Sequence, residues 1–395
     1  MSTRVLHIFA PNFKRRFGGP IFDWKFVFSN WNDPSIEHFV LDYDDHQPKP
    51  ALEAFSFEIS ESQTTSSRKE RALWIISLLW NLIKYRKAYD LLHFHVLWWG
   101  GLLAATWANK QRIPTLYQSV LLNSDTPSPI LKQKQGRLKE RLLRNFSLIL
   151  SISDALAQDY YDHGYSKDQV ITLMNSVDTN LFHPLVSQEE NRNLRGKYDL
   201  PLDASILLFT GSIIQRKGVD ILIKSFCDAY QHFPDLYLLL IGPKSRQENP
   251  SLDETYVKEL QKRIEEGGFC NQVKFTGLIK DRNMIADLYQ AADMFVFPSR
   301  NEGLPNVVLE AMACGLPVIV SDLPGLKPVI KHGENGWVIP IDNENSLTEA
   351  IYHLKENPAL ISQLGSGARR YIQENHQFQH WQTNLVAIYQ KLSAE

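Results

Sequence analysis

Apolar runs of strand length alternate with helical stretches along most of this 395-residue chain. The first half carries TRVLHIFA, EHFVLDY, DLLHFHV, PTLYQSV, SLILSIS and QVITLMNS, with helices predicted near 67–87, 99–110 and 131–145. The second half carries SILLFTG, LYLLLIG, VKFTG, DMFVFPS, PVIVSD and GWVIP, with helices predicted from Val219 and near 252–266, 281–292 and 305–314. Nearly continuous apolar strands separated by helices indicate parallel sheets covered on both faces. The pattern therefore predicts an α/β protein built on two doubly wound sheets.

A polar stretch separates the two series. Residues 183–203, HPLVSQEENRNLRGKYDLPLD, break the alternation, so we place the boundary between domains 1–183 and 184–375 there. A last helix within 376–395 carries apolar side chains at helical spacing and is predicted to pack back onto the first domain. We expect the two domains to face each other across a cleft, with ligands bound outside the carboxyl ends of the strands.

Composition narrows the class of protein. Hydrophobic residues make up 44% and charged residues 22% of the chain, as in soluble globular proteins. The net charge of −2 provides no basic field for nucleic acid. Cys227, Cys270 and Cys314 are dispersed and odd in number, which argues against a disulfide framework or a zinc site and favours a reducing cytoplasm.

The expected relationship to membranes depends on one helix. The apolar run at the N-terminus is too short for a signal peptide, and no run of about twenty apolar residues predicts a spanning helix. Residues 71–87, RALWIISLLWNLIKYRK, contain large apolar and aromatic side chains and end in basic residues. They are expected either to cover a sheet as an amphipathic helix or to rest on a membrane surface as a peripheral contact.

One carboxylate stands in a helix that is otherwise apolar. Pro305 suits the first position of the 305–314 helix, Gly315 suits its end, and Glu310 interrupts its apolar middle. A buried ionised carboxylate must be paired, neutral or bound to a ligand. A distant salt bridge is one solution. A sugar ligand is the other, because a carboxylate can accept hydrogen bonds from two adjacent hydroxyls at once.

The same helix follows the strand DMFVFPS, so its start lies at the edge where ligands bind. Glu302 stands in the intervening loop, and Gly303 lets the backbone approach a ligand closely. The N–H groups near Leu304, Pro305 and Asn306, at the helix start, favour an anion. Two carboxylates for hydroxyl groups and a helix end for phosphate predict a nucleotide-sugar site.

Arg216 and Lys217 follow the strand SILLFTG and precede a helix. In isolation, such a pair ordinarily belongs to a solvated loop. A departing nucleoside diphosphate gains negative charge in the transition state, and preorganised cations at a strand end are the expected device for stabilising it.

Four segments resemble one enzyme family. Glu302 and Glu310 form an E-x7-E pair within NEGLPNVVLEAMACGLPVIVSD, which resembles the donor-site signature of family 4 retaining glycosyltransferases, whose fold is GT-B. NSVDTNLFHP, GSIIQRKGVDILIKSF and HGENGWVIP resemble further segments of that family. The resemblance implies that Glu310 holds the ribose hydroxyls and Glu302 a sugar hydroxyl of a UDP- or GDP-linked donor, with no separate cofactor. It also implies a glycan or lipid-linked acceptor, in polysaccharide or lipopolysaccharide assembly at the inner membrane face.

Two loops extend the resemblance. The family often carries an Arg just after the first Gly of its phosphate loop, and that position is Ser212 here. We therefore assign the diphosphate to the Arg-Lys pair, and only a hydrogen bond to Ser212. Gly18 and Gly19 follow the first strand, in the loop that faces the diphosphate and the acceptor in the family. The preceding Lys14–Arg16 either form a solvated loop or grip an anionic acceptor.

One departure from the family concerns the first domain. Many relatives carry a His after the strand that here reads PTLYQSV, but no His occurs between residues 114 and 128. Val120 lies near the expected position. Asp125 either substitutes as a catalytic group or is an ordinary turn residue.

Other polar residues at strand ends admit simpler interpretations. His93 and His95 alternate along one strand and either line the cleft or belong to the core. Their spacing would suit metal ligands, but no Cys or carboxylate cluster accompanies them. Asp42 and Asp44 are interpreted as residues of a strand-end turn.

The expected activity is metal-independent sugar transfer with retention. Since no carboxylate is placed as a covalent nucleophile, the leaving phosphate is expected to take the acceptor's proton. A nucleotide-sugar epimerase of the same fold and a non-catalytic nucleotide-sugar-binding protein are the alternatives. An epimerase would need further acid–base groups, and a binding protein would not need both carboxylates with both cations.

Overall fold

Two compact units make up the chain. The computed structural model describes residues 2–9, 19–42, 47–54, 68–122, 124–249 and 252–394. Unit 1 comprises residues 1–174 together with 381–395, and unit 2 comprises residues 175–380.

This division differs from the predicted boundaries at 183/184 and 375/376 for a local reason. The backbone carbonyl of Asn175 accepts a hydrogen bond from Nδ1 of His376 at 2.7 Å, and Val177 and Gln377 form a parallel bridge. Both segments therefore belong to unit 2, and the last helix enters unit 1 only from Trp381 onward.

Unit 1 is an α/β layer structure. Its strands are β1 (Thr3–Ile8), β2 (Ile36–Asp42), β3 (Gln47–Pro50), β4 (Leu91–Phe94), β5 (Thr115–Ser119), β6 (Leu148–Ser151) and β7 (Val170–Thr172). Its helices are α1 (Gly19–Asn30), α2 (Ala51–Ala54), α3 (Arg68–Lys84), α4 (Trp99–Lys110), α5 (Pro127–Leu131), α6 (Gly136–Leu143), α7 (Asp154–Asp162) and, from the end of the chain, α15 (Phe378–Ala394). The strand order is β3-β2-β1-β4-β5-β6-β7. Only β3, which the sequence pattern did not predict because it reads QPKP, pairs antiparallel.

Alternation along the strands separates the two faces of this sheet. Leu6 of β1 and Phe94 of β4 join the buried cluster that contains Leu78 of α3 and Leu102 of α4. His7, the neighbour of Leu6, instead contacts Trp24 of α1, with ring centroids 5.0 Å apart. Side chains of adjacent strand residues point to opposite faces, so α3 and α4 cover one face and α1 covers the other. Among the described residues, no helix combines the length and apolar character needed to cross a bilayer.

Unit 2 contains a fully parallel sheet. Its strands are β8 (Ser205–Thr210), β9 (Leu236–Ile241), β10 (Val273–Gly277), β11 (Met294–Phe297), β12 (Val318–Ser321) and β13 (Trp337–Ile339). Its helices are α8 (Gln188–Lys197), α9 (Val219–Tyr230), α10 (Glu254–Glu266), α11 (Arg282–Ala291), α12 (Asn306–Ala313), α13 (Glu344–Lys355) and α14 (Pro358–Asn375). The strand order is β10-β9-β8-β11-β12-β13. The two predicted sheets are thus confirmed.

Two helical regions differ in detail from the sequence-based expectation. The polar stretch expected to be a boundary contains α8, which is anchored by the buried Arg195 through a 2.8 Å salt bridge to Asp293 and a 3.0 Å hydrogen bond to the Ala291 carbonyl. The single helix expected near 131–145 is two helices, α5 and α6, because Gln135 between them has a φ of 62°.

Candidate active site

The strand order of unit 2 reverses between β8 and β11. The two strands are parallel neighbours, with Leu207 opposite Met294 and Leu208 opposite Phe295. The crevice outside the strand ends at such a reversal is where open α/β sheets bind ligands. The loops that leave both strands meet there, since the N–H of Arg300 donates to the carbonyl of Arg216 at 2.8 Å.

Glu302 and both predicted cations form one ion cluster at this point. Oε1 of Glu302 lies 2.6 Å from Nη1 of Arg216 and 2.6 Å from Nζ of Lys217. The same oxygen accepts a hydrogen bond from Oγ of Ser299 at 3.0 Å. Oε2 has no hydrogen-bond partner within the described parts of the chain. The cluster therefore presents one unoccupied carboxylate oxygen beside two cations.

Burial sets the state of Lys217. Desolvation lowers the pKa of its ammonium group, the carboxylate of Glu302 opposes this shift, and Arg216 adds to it. Nζ also lies 4.8 Å from the ring centroid of Phe297. A desolvated cation held in place by neighbours interacts strongly with an anionic ligand, since little water or reorganisation weakens the contact.

A glycine and an arginine hold the two loops together. Gly218 has a φ of +70°, and a Cβ there would lie 1.9 Å from the carbonyl oxygen of Pro298. Only glycine fits so close a backbone approach in this conformation. Arg300 binds both carboxylate oxygens of Asp220, at 2.9 and 2.8 Å. The position of the cation pair is therefore fixed by both loops.

Glu310 is buried in α12, as predicted, and it has a distant partner. Oε1 lies 3.3 Å from Nη2 of Arg282, and Oε2 accepts a hydrogen bond from the Tyr289 hydroxyl at 3.4 Å. Burial raises the pKa of the carboxyl group, and Arg282 opposes the shift. Nε of Arg282 is itself buried and has no hydrogen-bond partner among the described residues. Sequence analysis missed both partners because they lie on α11, 28 and 21 positions away, where no local pattern marks them.

The loop before α12 is fixed by a residue from the start of unit 2. Gly303, Leu304 and Pro305 are buried, and Pro305 caps the helix rather than opening it, because α12 begins at Asn306. Nδ2 of Asn175 donates to the side-chain oxygen of Asn306 at 2.7 Å and to the carbonyl of Leu304 at 3.4 Å. In the described part of the chain no side chain caps α12, so an anion can accept from its first N–H groups.

The remaining predicted donor contacts are less constrained. The hydroxyl of Ser212 accepts a long hydrogen bond, 3.5 Å, from Nδ2 of Asn249. Gly19 is the first residue of α1, and Asp42 is the last residue of β2. Three earlier predictions fall outside the described residues, namely Gly18, Lys14–Arg16 and Asp44.

Asp125 closes the turn after β5. Its Oδ2 accepts hydrogen bonds from the N–H groups of Val120 at 3.1 Å and Leu121 at 3.0 Å, and Ser124 donates to Oδ1. Desolvation raises the pKa of this carboxyl group, and these three hydrogen bonds oppose the shift. Its oxygens are thus committed to the turn, which is the second of the two roles considered from the sequence.

His93 and His95 are buried in unit 1 together with His7, and the partly buried His38 lies beside them. Oε1 of Gln118 accepts from Nε1 of Trp24 and from Nδ1 of His95, both at 3.1 Å. Since indole N–H can only donate, His95 carries its proton on Nδ1. Its Nε2 then accepts from Nδ1 of His7, and Nε2 of His7 accepts from Nδ1 of His38, each at 2.8 Å. The result is a directional chain of neutral imidazoles.

Ring nitrogens of His7, His93 and His95 all lie within 4.8 Å of one another. Two nitrogens bound tetrahedrally to zinc at about 2.0–2.1 Å would be roughly 3.3 Å apart. The 2.8 Å contact between His7 and His95 is a direct hydrogen bond instead. The sequence marked only His93 and His95 as neighbours. His7 and His38 lie on β1 and β2, far away along the chain.

Comparisons with known proteins match both units. Residues 190–371 match the family model "Glycosyl transferases group 1", and residues 43–176 match "Glycosyl transferase 4-like domain". D-inositol 3-phosphate glycosyltransferase from Thermomonospora curvata is 30% identical over 311 residues, which cover 72% of this chain and 67% of the relative. Spore coat protein SA from Bacillus subtilis is 30% identical over 268 residues, which cover 66% of this chain and 68% of the relative.

A solved structure supports the same architecture over nearly the whole chain. Anabaena HepE, crystallised with UDP-glucose, superposes with a TM-score of 0.76 and 20% sequence identity, covering 98% of this chain and 99% of its own. Together with the two parallel-sheet units, this likeness confirms the GT-B fold expected from the sequence.

Proposed function

Because the chain belongs to the glycosyl transferases group 1 family, we propose that this glycosyltransferase moves a sugar from a nucleotide-diphosphate donor to a glycan or lipid-linked acceptor, with retention of the anomeric configuration. The observation that carries the proposal is the cluster of Glu302, Arg216 and Lys217 outside the ends of β8 and β11. Polysaccharide or lipopolysaccharide assembly on the cytoplasmic side of the inner membrane is the setting that we propose.

The donor is proposed to be a UDP- or GDP-linked sugar. Solved relatives of the same fold contain UDP or UDP-glucose, which supports the UDP series. Glu310 would accept hydrogen bonds from the two ribose hydroxyls. Its present contacts, at 3.3 and 3.4 Å, are long enough to be exchanged for shorter ones at small cost.

In the proposed step the bond between the anomeric carbon and the diphosphate oxygen breaks. The acceptor hydroxyl oxygen bonds to that carbon from the same face, and its proton passes to the leaving phosphate. Arg216, Lys217 and the N-terminus of α12 neutralise the charge that develops on the diphosphate, so the step is proposed to need no divalent metal. Asp125 is proposed to hold the turn and to take no part in the proton transfer.

Glu302 has two functions in this scheme. It supplies the counter-charge that opposes the lowering of the Lys217 pKa by burial. Through Oε2 it would also accept a hydrogen bond from a hydroxyl of the donor sugar. A donor that brings both a diphosphate and a correctly placed hydroxyl thus satisfies the cations and the carboxylate together.

A donor screen separates this proposal from its alternatives. Purified protein is incubated with UDP- and GDP-sugars, with and without a lipid-linked acceptor, and the products are resolved by mass spectrometry. Transfer product and free nucleoside diphosphate that depend on acceptor support the proposal. An isomerised donor would identify an epimerase, and binding without turnover of any donor would identify a binding protein.

The cation pair provides the sharpest variant. Lys217→Ala should lower turnover by about 10²–10³, comparable to the loss of one preorganised oxyanion donor. Lys224→Ala is the matched control and should retain turnover. Lys224 lies two turns further along the chain, in α9, and pairs at the surface with Glu344. Equal turnover in both variants would remove Lys217 from the mechanism.

A further inference from the structure

One layer of helices in unit 1 turns its outer side to solvent. Buried side chains of α3, α4 and α6, among them Leu78, Leu102 and Leu143, belong to the same core cluster on one face of the sheet. The opposite sides of these helices therefore point away from the sheet. Their residues have no role in the proposed donor site, which lies in unit 2.

The outer side of α3 is apolar. Leu73, Ile76, Trp80 and Ile83 are 62, 64, 65 and 54% exposed. Their spacing of three, four and three residues places them along one side of a helix with 3.6 residues per turn. Leu103 of α4 and Leu138 of α6 are also exposed, at 38 and 48%. A row of large apolar side chains in water marks an interaction surface rather than a core.

Basic residues surround this row. The segments 68–87 and 132–144 contain twelve Lys or Arg and two Glu, a net charge of +10 in a chain whose net charge is −2. Lys69, Lys84, Arg137 and Arg141 are among the exposed ones. Glu140, one of the two acidic residues, pairs with Arg144 at 2.6 Å. We call segments 68–87 and 132–144, with Leu103, the basic apolar surface.

We propose that the basic apolar surface docks the protein onto an anionic phospholipid bilayer. The apolar row would enter the boundary between headgroups and acyl chains, Trp80 would lie at that boundary, and the Lys and Arg ends would contact lipid phosphates. The inference rests on the proposed function only in the choice of acceptor, since docking would bring the enzyme to a lipid-linked one.

Charge favours the bilayer over a second copy of the chain. Two basic apolar surfaces brought face to face would oppose charges of +10, whereas anionic headgroups complement them. Each Lys or Arg near an anionic leaflet contributes about a fivefold gain in partitioning, so several together suffice for stable attachment.

Vesicle co-sedimentation of the full chain tests the proposal. Wild type is expected to sediment with phosphatidylglycerol–phosphatidylcholine vesicles, to stay in solution with phosphatidylcholine alone, and to be released at about 0.5 M salt. The double variants Ile76→Gln/Trp80→Gln and Arg137→Gln/Arg141→Gln should each weaken partitioning about tenfold or more. Because all four side chains are exposed, both variants are expected to fold, which circular dichroism verifies.

Matched controls come from unit 2. Val186→Gln, at a position 91% exposed, and Lys258→Gln/Lys262→Gln on α10 should partition like wild type. The proposal is overturned if wild type fails to bind anionic vesicles. It is also overturned if the α3 and α6 variants bind these vesicles as strongly as wild type does. A concentration-dependent dimer that Trp80→Gln abolishes, without vesicle binding, would assign the surface to a second copy.

The donor site is assayed separately. Nucleoside diphosphate binding is measured by calorimetry without vesicles in wild type and in the four double or single variants. Wild type that binds nucleotide but does not bind anionic vesicles rejects the docking surface alone. Vesicle binding without nucleotide binding rejects the proposed function alone.

Discussion

Glu302 already pairs with both cations that the proposed mechanism assigns to the diphosphate. Its 2.6 Å contacts with Arg216 and Lys217 share a single oxygen, Oε1. The Lys217 side chain is only 13% exposed, so loss of this carboxylate charge would leave a largely buried ammonium group without its counter-charge. The same residue therefore links the stability of unit 2 to the affinity of the donor site.

Glu302→Gln should lower the free energy of unfolding of unit 2 by about 3 kcal/mol, as expected for breaking a buried pair. UDP should restore much of this loss, because its phosphates replace the missing negative charge, while turnover stays low. Thermal unfolding with and without UDP measures both effects. Glu334→Gln, which removes an exposed carboxylate, is the control, and an equal loss there would contradict the argument.

Variants of Glu310 and Arg282 distinguish the loss of a ligand contact from a change in the pKa of the Glu310 carboxyl group. Glu310→Gln should weaken nucleoside diphosphate binding by about 1.5–3 kcal/mol, since an amide oxygen cannot accept from both ribose hydroxyls as a carboxylate does.

Arg282→Gln removes the group that opposes the raised pKa of Glu310. That pKa should rise further, so binding should weaken as the pH falls. Calorimetry at several pH values tests this, and a pH-independent affinity in Arg282→Gln would assign Arg282 to packing alone.

At the scale of elements, strand alternation explains the histidine chain. His7, His38 and His93 lie on adjacent parallel strands, in register with or near one another, and face α1 and α15. Nδ1 of His93 is hydrogen-bonded to the hydroxyl of Tyr389 at 2.7 Å. Desolvation lowers the pKa of all four imidazoles, to about 3 for His38 and for His95.

These depressed pKa values make unit 1 acid-sensitive. The unfolded histidines bind protons below about pH 6.5 and the folded ones do not, so stability is fully present above that pH and is lost as the pH falls towards 3. Within this window, each imidazole should lower the free energy of unfolding by about 1.4 kcal/mol for each unit that the pH falls. Hydrogen exchange at pH 7.5 and 5.0 should show β1 and β4 losing protection first. β8 should lose less protection, because His376 is the only buried histidine among the described residues of unit 2.

At the scale of the whole molecule, the sequence predicted what is encoded locally. Both sheets follow from apolar runs, and Glu302, Arg216 and Lys217 follow from their places at strand ends. Arg282 and Asn175 could not be predicted as partners of the site, because they reach it through tertiary contacts across 28 and 131 positions. The edge strand β3 and the helix α8 carry too few apolar residues for periodicity to reveal them.

The proposed independence from a divalent metal concerns turnover by the complete enzyme and is tested there. Turnover in excess chelator should equal turnover without chelator, because Arg216, Lys217 and the start of α12 provide the positive charge that a metal would otherwise supply. Loss of activity that magnesium or manganese restores would reject this part of the mechanism. Lys217→Ala assayed with added magnesium shows whether a metal can replace the missing cation.

The return of α15 to unit 1 has a consequence for biosynthesis. Trp381 packs against Trp24, and Tyr389 is hydrogen-bonded to His93, so the histidine face of the first sheet is covered by residues that are translated after unit 2. Unit 2 is continuous in sequence, from residue 175 to 380. On the ribosome, unit 2 should therefore complete its core first, while one face of unit 1 stays uncovered until α15 emerges.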